Sequence, residues 1–233
     1  MISVCMATHN GEKYIKEQID SILMQLSDED ELIISDDASN DRTLDIIAEY
    51  NDRRIKVLHH IPAIGNSFVK AKANFENALS AAKGDYIFLS DQDDVWMPNK
   101  VSVMVNALSD CMCVQSELEV IGALDSGYTL KRPRATLLGN ICYLPHHGCC
   151  MAFRKKLLDI ASPFPKNVPT HDAWLGCLAF STHSYKRIPD ELLLYRIHAN
   201  NVAAARKSTN SVCYKIYYRL LILWHILRRK YNI

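Results

Sequence analysis

The first hundred residues alternate between short apolar runs and stretches whose apolar positions recur at helical spacing. Ile2–Thr8, residues 31–35, Ile55–His59 and residues 86–90 read as buried strands. Between them, residues 12–25 place Tyr14, Ile15, Gln18, Ile19, Ile22 and Leu23 at helical spacing. Residues 41–50 read as a second helix, with Ser39 or Asn40 placed to cap its free N–H groups, and residues 74–82 as a third that stops near Gly84. This βαβαβαβ order with short loops predicts an α/β fold, a parallel sheet covered by helices on both faces.

The second half is less regular. Residues 98–108 read as helix, 111–121 as strand, 125–136 as loop, 148–153 as strand, Lys155–Ala161 as helix, 172–179 as helix and 191–198 as strand. The pattern lapses between residues 200 and 212. It resumes over 212–231, where Val212, Ile216, Leu220, Leu223, Trp224 and Leu227 recur at helical spacing among Lys215, Arg219, Arg228 and Arg229. The expected organisation is a body over residues 1–205, with halves 1–110 and 111–205, followed by a basic amphipathic helix over 206–233.

Composition is that of a folded globular chain, with 48% hydrophobic and 23% charged residues, and excludes disorder for the bulk of it. Charge is unevenly placed. Eight of the 27 Lys and Arg residues follow Glu191, and none of the 26 acidic residues does. Such a tail suits an anionic partner, a membrane surface or a nucleic acid. The aromatics Tyr214, Tyr217, Tyr218 and Trp224 suit a lipid interface, and packing on the body or in a dimer is the alternative. No apolar run approaches the ~20 residues of a bilayer span. Eight cysteines without a regular framework, and no signal peptide, suggest reduced thiols in the cytoplasm. Cys142, His146, His147, Cys149 and Cys150 could ligate zinc, but they lack paired spacing, and buried thiols beside a loop are the competing reading.

In doubly wound sheets, ligands bind beyond the carboxyl ends of the strands. Three polar sequences fall there: Thr8-His9-Asn10-Gly11, Asp36-Asp37-Ala38-Ser39 and Asp91-Gln92-Asp93-Asp94. Clustered carboxylates at the tip of an apolar strand need a compensating cation, and Mg²⁺ or Mn²⁺ prefers oxygen ligands and bridges phosphates. Asp36 and Asp37 fit a second metal site, a base contact or helix caps, and spacing does not choose among them.

Taken together, the runs from Ser3 to Gly11, from Asp36 to Asp41 and from Phe88 to Trp96 resemble family 2 glycosyltransferases of the GT-A fold. The continuation through Pro98 and Lys100 is similar to the branch that includes bacterial rhamnosyltransferases. The resemblance covers roughly residues 1–202. It implies a Rossmann-like, mostly parallel sheet and an enzyme that assembles surface polysaccharide; the reduced thiols suggest the cytoplasm, and the tail a position peripheral to the inner face of the membrane. It implies inverting transfer of a sugar from a UDP-hexose or dTDP-rhamnose donor to a glycan or lipid-linked acceptor. Thr8, Asn10 and Glu12 would bind the nucleotide, with Asp37 on the base, Asp91 on the donor and Arg196 on the diphosphate. Asp93 and His198 would hold the metal. Gly148, Cys149 and Trp174 would meet the acceptor, and Asp172 would be the catalytic base. Asn200 and Asn201 complete the closing motif. Two positions depart from the pattern: Ala38 stands where glycine is usual, and His171 where many relatives have an acid. Trp96 and Trp174 also suit the core, Asp172 a helix cap and Arg196 a surface ion pair.

Two other enzyme readings share some of these features. An apolar strand followed by Asp91-Gln92-Asp93 also fits a haloacid-dehalogenase-type phosphatase, with Asp91 as nucleophile, although three strands precede it. A sugar-nucleotide pyrophosphorylase should open with a Gly-rich loop carrying an Arg, which Thr8–Gly11 is not. A non-catalytic nucleotide-binding module is the third class.

Overall fold

The computed structural model describes residues 1–122, 132–198 and 211–231. Among them, eight strands form one sheet in the order β3-β2-β1-β4-β7-β6-β8-β5. The strands are β1 (Ile2–Thr8), β2 (Glu31–Asp36), β3 (Ile55–His59), β4 (Tyr86–Asp91), β5 (Val95–Trp96), β6 (Cys113–Gly122), β7 (Met151–Arg154) and β8 (Tyr185–Ile197). The helices are α1 (Ile15–Leu23), α2 (Thr43–Ala48), α3 (Ser67–Ser80), α4 (Lys100–Ala107), α5 (Leu137–Tyr143), α6 (Lys155–Ala161), α7 (His171–Ser181) and α8 (Val212–Tyr231).

The first four strands are parallel, as their βα alternation requires. Successive side chains of a strand point to opposite faces, and two apolar cores follow from that. Val4, Met6, Leu32, Ile34 and Phe88 face a core closed by α1, α2 and α4. Cys5, Ile33, Ile87 and Leu89 face another closed by α3, α6 and α7, and Tyr218, Ile222 and Ile226 of α8 enter that same core. β7 then runs antiparallel to β4 and β6, and β5 antiparallel to β8, so the sheet is mostly rather than wholly parallel.

Several boundaries differ from expectation. α3 begins at Ser67, where the Asn66 side chain accepts a hydrogen bond from the Val69 N–H. Its first turn is exposed, so apolar periodicity could not report it. α2 is shorter than predicted, and neither Ser39 nor Asn40 caps it. The Asp41 carboxylate takes the Thr43 N–H at 3.0 Å, while Ser39 serves Asp36. Residues 148–150 form a 3₁₀ turn ahead of β7, and β8 starts at Tyr185, through Pro189. The two-residue β5 and the short α5 were not foreseen, being too brief to show a period. Most of the loop expected over 125–136 lies outside the described residues, as do Asn200, Asn201 and the lapse before the tail.

The chain passes from β1 outward to β2 and β3, then returns to β4 on the far side of β1. A crevice opens where strand order reverses in this way. Parallel registers pair Thr8 with Asp36 and Ala7 with Asp91, so the tips of β1, β2 and β4 are brought together there.

Candidate active site

At this switch point lies a cleft of about 830 Å³. Thr8, Asn10, Glu12, Asp37, Asp91, Asp93, Gly148, Cys149, Asp172 and His198 all line it. Residues as far apart in sequence as Thr8 and His198 therefore share one concavity.

The β1 loop is held by side chains. Gln92, between the two aspartates, accepts from the Thr8 hydroxyl at 2.5 Å and the His9 N–H at 2.8 Å, and donates back to the His9 carbonyl. It is a clamp that sequence reading passed over, since the middle position of such a motif carries no pattern. Asn10 adopts a positive φ of 51°, its side chain accepting from the Asn40 N–H. Glu12 accepts from the Arg42 N–H. Ala38 also has a positive φ, 57°, which explains why glycine suits that position.

Asp36 and Asp37 divide their work. Asp36 takes the Ser39 N–H and hydroxyl and shapes the turn. Asp37 is buried, and the His60 ring nitrogen lies 2.7 Å from its carboxylate. Such a partner fixes a carboxylate's direction. Asn74, a further residue missed from sequence, reaches the Thr8 carbonyl from α3 at 3.1 Å.

The floor is strongly acidic. Burial, then the neighbouring charges of Asp93 and Asp172, push Asp91 up to about 7. Burial also holds Asp94 well above the carboxylate range, and one of its oxygens has no hydrogen-bond partner among the described residues. Oxygen or sulfur atoms of Asp91, Asp94 and Cys149 lie within 4.8 Å of one another. The end of β8 closes over this floor. The Arg196 N–H donates to Asp94 at 3.1 Å and its Nε to the Asp93 carbonyl at 3.0 Å. His198 Nε2 stands 2.7 Å from Asp93 Oδ2.

An excess of mutually raised carboxylates, one orphaned oxygen and an imidazole against Asp93 form a donor set that fits a divalent cation such as Mn²⁺. The carboxylates and His198 suit it. The Cys149 thiol does not: Cys150 hydrogen bonding and burial hold it protonated, and sulfur is a poor ligand for a hard ion.

Asp172 stands at the start of α7, which Thr170 caps. Burial pushes its carboxyl up, but His171, the Thr170 hydroxyl, His147 and the Ala173 N–H outweigh that and hold it below the usual carboxylate range. It lines the cleft, near enough to Asp91 for its charge to be felt there. His171 stacks on Phe75 at 4.0 Å. His146 lies flat against α7, where a Cβ on Gly176 would come within 2.2 Å of its Nδ1.

Two expectations need correction, and one alternative falls away. Trp174 does not reach the acceptor side: it is wholly buried, and its indole N–H donates to the Ala161 carbonyl at 3.0 Å. It follows Asp172 by two residues on a helix, which turns it to the opposite face. Arg196 does not line the cleft; its guanidinium pairs with Glu17 at 2.6 Å and lies over the Tyr14 ring. The suggested zinc cluster is dispersed, with Cys142 exposed on α5 and His146 packed on Gly176. All eight cysteines are free thiols.

Residues 3–161 match the family described as Glycosyl transferase family 2. The chain is 30% identical over 220 residues to the dTDP-rhamnosyl transferase RfbG of Shigella flexneri, covering 87% of this chain and 75% of that protein. It is 34% identical over 109 residues to the UDP-Glc:alpha-D-GlcNAc-diphosphoundecaprenol beta-1,3-glucosyltransferase WfgD of Escherichia coli, covering 46% of this chain and 41% of that one. Among solved structures, S. aureus TarS with UDP-GlcNAc superposes with a TM-score of 0.66 at 22% identity, over 100% of this chain and 73% of that one. Glucosyl-3-phosphoglycerate synthase of Mycobacterium tuberculosis, with Mn²⁺ and UDP, gives 0.60 at 20% identity, over 98% of this chain and 79% of that one. At these identities the structural likeness is one of fold.

Proposed function

The chain belongs to glycosyltransferase family 2 and has the GT-A fold, and from that premise we propose that it is a metal-dependent, inverting transferase. Its donor is a UDP-hexose or dTDP-rhamnose, and its acceptor is a hydroxyl of a glycan or lipid-linked sugar in surface polysaccharide assembly. The observation that carries this reading is the cleft itself. It gathers an acidic floor, with an imidazole 2.7 Å from Asp93, and a further carboxylate, Asp172, held below the usual carboxylate range. The names of RfbG and WfgD support a dTDP-rhamnose or UDP-glucose donor, and that of WfgD supports a lipid-linked acceptor. The family match favours a transferase over the phosphatase reading.

Thr8, Asn10 and Glu12 border the nucleotide, and Asp37, steadied by His60, accepts a base N–H. Asp91, Asp93 and His198 would hold Mn²⁺ or Mg²⁺. Such an ion neutralises the charge that develops on the diphosphate as it leaves. Arg196 acts from behind, holding the Asp93 backbone in place. Asp172 accepts the proton of the acceptor hydroxyl as that oxygen bonds to the anomeric carbon, and the diphosphate departs from the opposite face. One base facing one leaving group is the requirement for inversion. Gly148 lets this loop pack closely on His171, since a Cβ there would lie 2.7 Å from His171 Nε2. Residues 1–205 would carry the reaction, and the tail would place the enzyme at the inner face of a membrane.

The test is thermal stabilisation by UDP, dTDP and GDP and their sugar forms, with and without Mn²⁺. A ligand bound only by the folded state raises the melting temperature by mass action, about 2.7 kcal/mol at a hundredfold excess over Kd. Metal-dependent stabilisation by UDP or dTDP is expected. A protein that none of these nucleotides stabilises does not have this donor site.

A further inference from the structure

Helix α8 is apolar on two opposite faces. Tyr218, Ile222 and Ile226 enter the core beneath α7. The opposite side carries Ile216, Tyr217, Leu220, Trp224 and Leu227, which are 53%, 50%, 61%, 51% and 43% exposed. At ~100° per residue these five fall within one stripe, diametrically across the axis from the buried three. A helix packed on one side only needs one apolar face, so a second one marks a surface that something else covers.

The helix is fixed, so this stripe has a fixed direction. Arg219 Nε donates to the Cys142 carbonyl at the end of α5 at 3.0 Å. Arg229 donates to the carbonyls of Ile160, Ser162 and Pro163 beyond α6. Beside the stripe, α5 exposes Leu138 and Tyr143, and α5 leads directly into the loop carrying Gly148 and Cys149.

Charge decides what fits. The helix sequence contains five basic residues, Lys215, Arg219, Arg228, Arg229 and Lys230, and no acidic one. Arg219 and Arg229 are turned to the body, and Arg228 flanks the exposed stripe, its guanidinium 5.4 Å from the centre of the Trp224 ring. An anionic bilayer complements it, and Tyr and Trp beside Arg belong at the boundary between headgroups and acyl chains. No helix among the described residues is long and apolar enough to cross a membrane, so contact is along the surface.

We propose that the outward face of α8, continued by Leu138 and Tyr143, lies on an anionic lipid bilayer and turns the Gly148–Cys149 side of the cleft toward it. The orientation rests on reading that loop as the acceptor side; the membrane contact does not.

The experiment is flotation of the whole chain with phosphatidylcholine vesicles containing about one third phosphatidylglycerol, against phosphatidylcholine alone. The expected result is recovery with the anionic vesicles, reduced but not abolished by high salt. Leu220→Glu with Trp224→Glu should lower partitioning more than about tenfold, since two apolar anchors are lost. Both positions are half exposed or more, so the variant keeps its melting temperature and its nucleotide-dependent stabilisation. Failure of wild type to float, or equal flotation by the double variant, overturns the proposal. A dimer in solution that the same substitutions dissolve, without flotation, assigns the face to a second copy and also overturns it. Nucleotide stabilisation is read separately, so a missing donor site and a missing membrane contact give different results.

Discussion

At the scale of single residues, Asp172 carries the sharpest expectation. Its carboxyl is held below the ordinary range, so the ionised form is complete above about pH 5 and is lost only as pH falls through that lowered value. Transfer limited by this group should be flat from about pH 5 upward on its acidic side, without the inflection near neutrality that a histidine base would give. Asp172→Asn should reduce kcat by roughly 10²–10⁴ while leaving the nucleotide's thermal shift in place. Turnover within a few-fold of wild type would remove Asp172 from the role of base. The histidines around it were visible as letters only. Burial lowers His171 and His146, the latter to about 4, while the charge of Asp172 works the other way on both. Their ring nitrogens have no hydrogen-bond partners among the described residues.

At the scale of elements, α7 shows how a helix serves two masters. Its first turn presents Asp172 to the cleft, and its body buries Trp174, Leu175 and Leu178. Nearly every residue is buried, so the helix has little amphipathic pattern and was read from its apolar content alone. Gly176 is the position where this matters. His146 occupies the space a side chain would need, so Gly176→Ala should cost about 1–3 kcal/mol, read from the denaturation midpoint. Adding His146→Ala should recover part of that loss, a coupling expected of residues in contact. An alanine variant as stable as wild type would mean that the loop over 145–148 shifts freely. Gln115 argues against such freedom, because it takes the Tyr185 hydroxyl and the His147 N–H and donates to the Pro145 carbonyl.

At the scale of the whole molecule, the acidic floor and the loop at Gly148 and Cys149 are joined by one fully buried lysine. Lys100 Nζ donates to the Cys149 carbonyl at 2.7 Å and lies 4.8 Å from the centre of the Trp96 ring. Lys100→Met should lower stability by about 3 kcal/mol, because the carbonyl and the nearby Asp94 lose a buried counterpart. For a chain of this length that corresponds to a melting temperature lower by roughly 6–12 °C, measurable by calorimetry. An unchanged melting temperature would show that the acidic floor does not lean on Lys100. The sequence by itself determined the parallel βα half, the acidic tip of β4 and one apolar stripe of α8, because each is a local pattern of period two or three and a half or a short run at a strand end; the buried face of α8, with Tyr218, Ile222 and Ile226, came from packing. It could not determine that Gln92 clamps the β1 loop, that Trp174 points into the core, or that Arg196 stands behind Asp93. Those depend on which face of one element meets which side of another, and only the packed chain, through the burial of both sheet faces, decides that.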